Sequence, residues 1–274
     1  MWDISAIIAN FARYKKSFIM RKMRRFLAIL AVAVTLSALK VYGTDYSNLD
    51  GRASRAYTHG EWASAAALLD LMLEQRPEVA STYGRAITAN AMRSDSLEQV
   101  RLLEKALANH VPFDSVFSQV EQWSFHLGNF HIYENFLSLA RDAYPWMKRT
   151  VDAKLLAFYR FRSNGDKMIE FADAMLDGAP DNVGFLHSLA EGYMLTGRFD
   201  RGLDIFRRIL EHAPDDYEAL LALGNWLHLH PADARADESG RTYLERAQKI
   251  KATPFVERIL SSTRMQKDVA KHAN

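Results

Sequence analysis

Residues 182–216 read NVGFLHSLAEGYMLTGRFDRGLDIFRRILEHAPDD, and this stretch decides the fold. Leu186, Leu189, Ala190 and Tyr193 recur at i, i+3, i+4 and i+7, the apolar stripe of an amphipathic helix. Thr196-Gly197-Arg198 breaks the stripe, because glycine tolerates the left-handed conformation that ends a helix. A second stripe follows with Phe199, Gly202, Leu203, Phe206, Ile209 and Leu210, and Pro214 stops it. The spacing predicts a helical hairpin. Small residues at 190 and 202 let its helices approach, with Tyr193 and Phe206 filling the space beside them.

Working outward, the seven prolines fall at 77, 112, 145, 180, 214, 231 and 254. The first five are 35, 33, 35 and 34 residues apart. Punctuation at that interval marks a two-helix repeat. Ala53, Gly60, Trp62, Ala65, Leu69, Leu73 and Pro77 repeat the pattern upstream. Residues 83–112 offer Leu103, Ala106 and Leu107 but lack a turn glycine. Residues 117–145 offer Val120, Gly128, Phe130, Leu137 and Ala140. Residues 155–180 offer Leu156, Tyr159, Ala172 and Leu176, with the turn glycine displaced to Gly165. The last unit starts with Leu220, Leu223, Gly224 and Leu227, is interrupted by HPADARADESG, and resumes with YLERAQKI.

The pattern resembles the tetratricopeptide repeat. In the best unit the family's places are held by Leu186, Leu189, Ala190, Tyr193, Gly197, Phe199, Gly202, Phe206, Ile209-Leu210 and Pro214. The departures are Leu for the family's first Trp, Gly for Ala, and Ile for Ala. The resemblance implies an all-α, right-handed solenoid of about six hairpins over residues 44–254. A capping helix and tail would follow over 255–274, with Phe255, Ile259, Leu260 and Met265 apolar. In such an array neighbouring repeats cover each other's apolar faces, so the interfaces carry the stability.

The formal charge of +2 hides an asymmetry. Residues 1–43 carry eight basic side chains and one acid, Asp3; the rest carries 27 basic and 32 acidic ones. A nucleic-acid-binding body needs a basic face, which excludes that class for the mildly acidic remainder. Residues 26–39, FLAILAVAVTLSAL, are uncharged and follow RKMRR. Fourteen residues fall short of the roughly 20 that span a bilayer and match a secretory h-region. Export is therefore expected, to the periplasm, with cleavage after Gly43 or else after Ala38. Residues 1–22 read as upstream of a start at Met23. If the segment is not cleaved, it anchors the chain to the inner membrane.

Catalytic chemistry is sparse. With 0 cysteines there is no disulfide, thiolate metal site or thiol nucleophile. No phosphate loop, dinucleotide fingerprint, nucleophile elbow or zincin motif occurs. His126 and His131 lie near Glu134, yet Gly128 separates the two histidines onto different helices, and they read as turn histidines. His228 and His230 are two apart and share no helix face. No cofactor or metal is expected, and no enzyme.

What the resemblance leaves is a concave groove lined by the first helix of each repeat. Carried onto this sequence, its exposed positions are Arg85, Gln122, His126, Arg160, His187, Glu191, Asn225 and His228, with Phe161, Met194 and Leu229 alongside. The set lacks the repeated Lys/Asn arrangement with which some family members clamp a C-terminal carboxylate. The expected function is a non-catalytic protein–protein interaction scaffold of the bacterial cell envelope, holding a peptide or partner element in that groove. The alternatives are a membrane-anchored assembly subunit and an enzyme with a groove site near His126, Glu134 and Arg160.

Overall fold

A computed structural model describes residues 45–235 and 238–261. The basic and apolar segment over residues 1–43 lies outside the described residues, as do Met265 and the C-terminal tail. Among the described residues there is no strand, and no helix is long and apolar enough to cross a membrane.

The helices are α1 (Tyr46–Thr58), α2 (Trp62–Gln75), α3 (Ala80–Met92), α4 (Ser96–Ala108), α5 (Phe113–His126), α6 (His131–Ala143), α7 (Lys148–Phe161) and α8 (Gly165–Leu176). They continue with α9 (Val183–Leu195), α10 (Phe199–His212), α11 (Tyr217–Leu229), α12 (Gly240–Ile250) and α13, described over 254–261. Short 3₁₀ turns at Pro145–Met147 and Pro231–Asp233 follow α6 and α11. The chain divides into two compact units, one ending at His126 and the other beginning at Leu127.

In the first unit α1 to α5 pack consecutively, and α3 also packs directly on α5. Its core is Leu49, Ala53, Leu69, Leu73, Tyr83, Ile87, Leu103, Phe117 and Val120. In the second unit α6 to α12 pack consecutively around Phe136, Leu155, Leu186, Ala190, Phe206, Ile209 and Leu223. Val256 and Leu260 of α13 bury against Leu244, while Phe255 stays half-exposed. Each buried leucine contributes about 1.5–3 kcal/mol relative to an exposed one. Side-chain caps begin five of the described helices, with Asp95, Asn164, Asn182, Asp216 and Thr253 accepting from the amides of Glu98, Lys167, Phe185, Ala219 and Val256.

The hairpin read from residues 182–216 forms as α9 and α10. A Cβ at Gly202 would lie 2.6 Å from Met194 Sδ and 3.2 Å from Ala190 O, so the two helices do cross there. Phe206 is buried, but Tyr193 is only half-buried, beneath the Arg198 and Arg201 guanidiniums. The turns hold a correction. The left-handed residue sits two to three positions before the next helix: Gly60, Ser94, His110, Gly128, Ser163 and Gly197. Gly165 is therefore no displaced turn glycine. It opens α8, and a Cβ there would lie 2.9 Å from Gly192 O and 2.8 Å from Thr196 Cγ2. Serine holds the turn two residues earlier, at a conformation that L side chains adopt at a cost.

Candidate interaction site

In the first unit, three first-of-pair helices enclose a cleft of about 440 Å³. From α1 it is lined by Tyr46 and Asp50, from α3 by Ser81, Thr82 and Arg85, and from α5 by Gln119, Gln122, Trp123 and His126. Met72 of α2 contributes an apolar patch. These positions follow helical spacing: 46 and 50, 81 and 85, then 119, 122, 123 and 126 share faces. Gly84 brings α5 close, since a Cβ there would lie 2.3 Å from Gln119 Cβ.

Arg85 holds the walls together. Its Nη1 donates to Asp50 Oδ1 at 2.5 Å and its Nη2 to Ser54 Oγ at 3.0 Å. The guanidinium lies 5.9 Å from the Tyr57 ring centre and 5.6 Å from that of Trp123, and the side chain is only 11% exposed. Tyr57 and Trp123 approach to 5.0 Å, and Trp123 meets His126 edge-on at 5.3 Å. Burial raises the Tyr57 phenol well above the usual range, so it stays neutral. Tyr46 Oη and Thr82 Oγ1 share a hydrogen bond of 3.2 Å. Asp50 is 47% exposed, and its Oδ2 has no partner among the described residues. Gln119 and Gln122 likewise make no hydrogen bond with a described residue.

Of the expected groove residues, Arg85, Gln122 and His126 thus converge on one cleft. The second unit holds the others. Arg160 of α7 grips Glu191 of α9 bidentately, Nε–Oε2 2.7 Å and Nη2–Oε1 2.5 Å, with Glu218 of α11 at 4.0 Å. That pair holds Arg160 protonated against any change within the physiological range. Phe161 is 62% exposed, its ring centre 6.3 Å from that of Phe130. Asn225 and His228 are half-buried on α11. Two positions differ from expectation. His187 is buried, with Nε2 3.0 Å from Asp216 Oδ1 and its ring beside Phe206. Met194 turns its sulfur onto Gly202. His187 thus belongs to the repeat interior, and Met194 is half-buried at the crossing of α9 and α10.

The histidine candidates have ordinary roles. His131 is exposed, with Nδ1 3.2 Å from Glu134 Oε2, and Glu134 Oε1 accepts from the Tyr159 hydroxyl at 2.8 Å. His230 stacks on Trp226 at 4.2 Å. No group of three His, Asp or Glu among the described residues could hold a metal ion. Tyr46, Asp50, Ser81, Gln119 and Trp123 were not singled out from sequence; the signal available was their spacing of three to four residues from Arg85, Gln122 and His126 or from one another.

Against this geometry, the tetratricopeptide repeat family model matches residues 183–226, which cover α9, α10 and most of α11. Residues 183–226 belong to the tetratricopeptide repeat family. No curated protein matches its sequence. Among solved structures, this repeat protein is similar to the C-terminal part of a TPR repeat-containing protein from Cytophaga hutchinsonii. There the identity is 12%, covering 73% of this chain and 78% of that one, with a TM-score of 0.45. A tetratricopeptide repeat protein from Parabacteroides merdae is 10% identical over 84% of this chain and 88% of that one, TM-score 0.41. The TPR2AB domain of yeast Sti1, solved in a complex with pHSP90, is 17% identical over 89% of this chain and 91% of that one, TM-score 0.33.

Proposed function

We propose that this tetratricopeptide repeat protein is a non-catalytic interaction scaffold of the bacterial cell envelope, docking a peptide or partner segment on its first-of-pair helices. The observation that carries the reading is the cleft between α1, α3 and α5. It is preformed, about 440 Å³ in volume, and lined by side-chain amides with unspent hydrogen-bonding capacity beside an aromatic floor. Such a surface suits an extended segment, whose main chain needs donors and acceptors and whose side chains need apolar contact. The second unit's Arg160–Glu191 pair is committed to joining α7 to α9 and leaves less to offer. Export rests on the sequence of residues 1–43, with its basic cluster before an apolar run.

A photo-crosslinking residue placed at 122 in the full chain, expressed in a bacterial host, tests docking. The control places it at Glu104, exposed on α4. A discrete adduct from 122 and none from 104 is expected; equal labelling, or none from 122, refutes the cleft. N-terminal mass spectrometry of the envelope fraction tests export. A chain beginning at residue 44 or 39 is expected, and an intact residue 1 refutes cleavage.

A further inference from the structure

Resting on that scaffold reading, we infer that the α1–α3–α5 cleft selects a basic, extended peptide segment, its Lys or Arg side chain on Asp50 and its main chain on Gln119 and Gln122. The sign of the cleft decides this. Arg85 is the one Lys or Arg among the described lining residues, and its cation is already engaged. Asp50 and Ser54 take both its Nη atoms, two aromatic rings flank it, and its Nε is buried without a partner. An anionic ligand therefore meets no available Lys or Arg among the described residues.

Asp50 is the reverse case. One oxygen takes Arg85 and the other faces open space in a side chain that is 47% exposed. A carboxylate held by two cations is a recurrent arrangement in this protein. Asp70 takes Arg101 at 2.9 Å and Lys105 at 3.2 Å, and Asp152 takes Arg141 and Lys148, each at 2.8 Å. At Asp50 no second cation stands among the described residues, and the ligand supplies it. Residues 45–126 carry seven Lys or Arg against eleven Asp or Glu, so the unit's wider field also favours a cationic approach. Gln119 and Gln122, three residues apart on α5, present two free amides on one face, each able to donate to a carbonyl and accept from an amide of the bound chain.

The test is fluorescence anisotropy with the full chain and two labelled, end-capped probes, (Gly-Lys-Ala)₃ and (Gly-Glu-Ala)₃. The lysine probe is expected to bind more tightly and to weaken with salt. Asp50→Asn weakens it roughly three- to tenfold. Because Asp50 also holds Arg85, a second variant keeps the fold untouched: Gln122→Lys, at an exposed site, weakens the lysine probe, and Gln122→Glu tightens it. Equal binding of both probes, no binding of either, or lysine-probe binding indifferent to residue 122 overturns the inference. Glutamate-probe binding that is sensitive to residue 122 overturns the basic preference while leaving the docking surface standing. A change of oligomeric state in Gln122→Lys makes the occupant a second copy of this chain, and also overturns it.

Discussion

Replacing Gly84 with alanine adds one methyl group at the crossing of α3 and α5. Placed on the present backbone, that Cβ lies 2.3 Å from Gln119 Cβ, 2.9 Å from its carbonyl carbon and 3.2 Å from its Cα. Two of these atoms belong to backbone, so rotating a side chain does not relieve the clash. The helices must part by about 1 Å to reach ordinary contact, and overpacking of this kind costs about 1–3 kcal/mol. Alanine returns about 0.5–1 kcal/mol through its helix propensity. The net expectation is a loss of about 1–2 kcal/mol. Gly51 of α1 is the control, since a Cβ there meets nothing within 4 Å. Gly51→Ala keeps the propensity gain without the clash and is stabilising by about 0.5–1 kcal/mol. The same substitution thus changes sign between two helices of one unit. Urea unfolding followed by circular dichroism reads both as shifts in midpoint, and hydrogen exchange locates the loss in peptides covering 80–92 and 113–126. A Gly84→Ala protein as stable as the unmodified chain, with exchange unchanged across α3 and α5, refutes the packing argument.

Glu238→Gln is expected to abolish an acid-sensitive part of the second unit's stability. The Arg207 hydrogen bond, followed by the Arg235 amide and the Tyr243 hydroxyl, holds Glu238 at a pKa of about 2, below the ordinary 4.5. A lowered folded-state value stabilises above the unfolded pKa, so the contribution is whole above about pH 5 and is lost as pH falls toward 2. Thermal melts of the wild type and the variant should converge across that window, and a constant difference refutes it. Ser163→Gly, at φ +50° in the α7–α8 turn, should stabilise by about 0.5–1 kcal/mol, and an unchanged melt in urea refutes the strain reading. Arg160→Glu and Glu191→Lys should each destabilise, while the double swap restores the pair. The coupling is modest, about 0.5–1 kcal/mol, because both side chains are solvent-accessible, and additive single effects would show no coupling.

The hairpins were legible because their causes are local. Pro77, Pro145, Pro180 and Pro214 each lie two to four residues past the end of a helix, and the stripes bury at Leu186, Leu189 and Ala190 and from Gly202 to Ile209, while Tyr193 is half-buried and Phe199 exposed. The turns were less legible because two constraints compete for glycine. Glycine relieves a left-handed turn, but it also permits helices to touch. At Gly165 the second use applies, leaving Ser163 to hold the turn. Sequence spacing alone does not distinguish these uses, because the atom that a Cβ would meet comes from α9, in the next repeat.

The site was half legible for a related reason. Period places a residue on a face, but its partner lies one repeat away. Asp50 to Arg85, Asp70 to Arg101, Arg160 to Glu191, Asp166 to Arg198, Asp204 to Arg235 and Arg207 to Glu238 are separated by 31 to 35 residues. These pairs join elements of successive repeats, so an ion pair here works as a staple between neighbours. Offset by one period, the sequence itself nominates which charged residues are spent. The same rule isolates Gln122. The positions 31 to 35 residues before it are 87–91, where Ile87 and Ala89 are buried, and Thr88 and Asn90 bond back to Gly84 O and Ala86 O. Gln119, by the same offset, falls opposite Gly84 and an Arg85 already committed to Asp50. Among the described residues both amides are left over from the repeat's own stapling, and a polar group the array does not use internally is the one available to a partner.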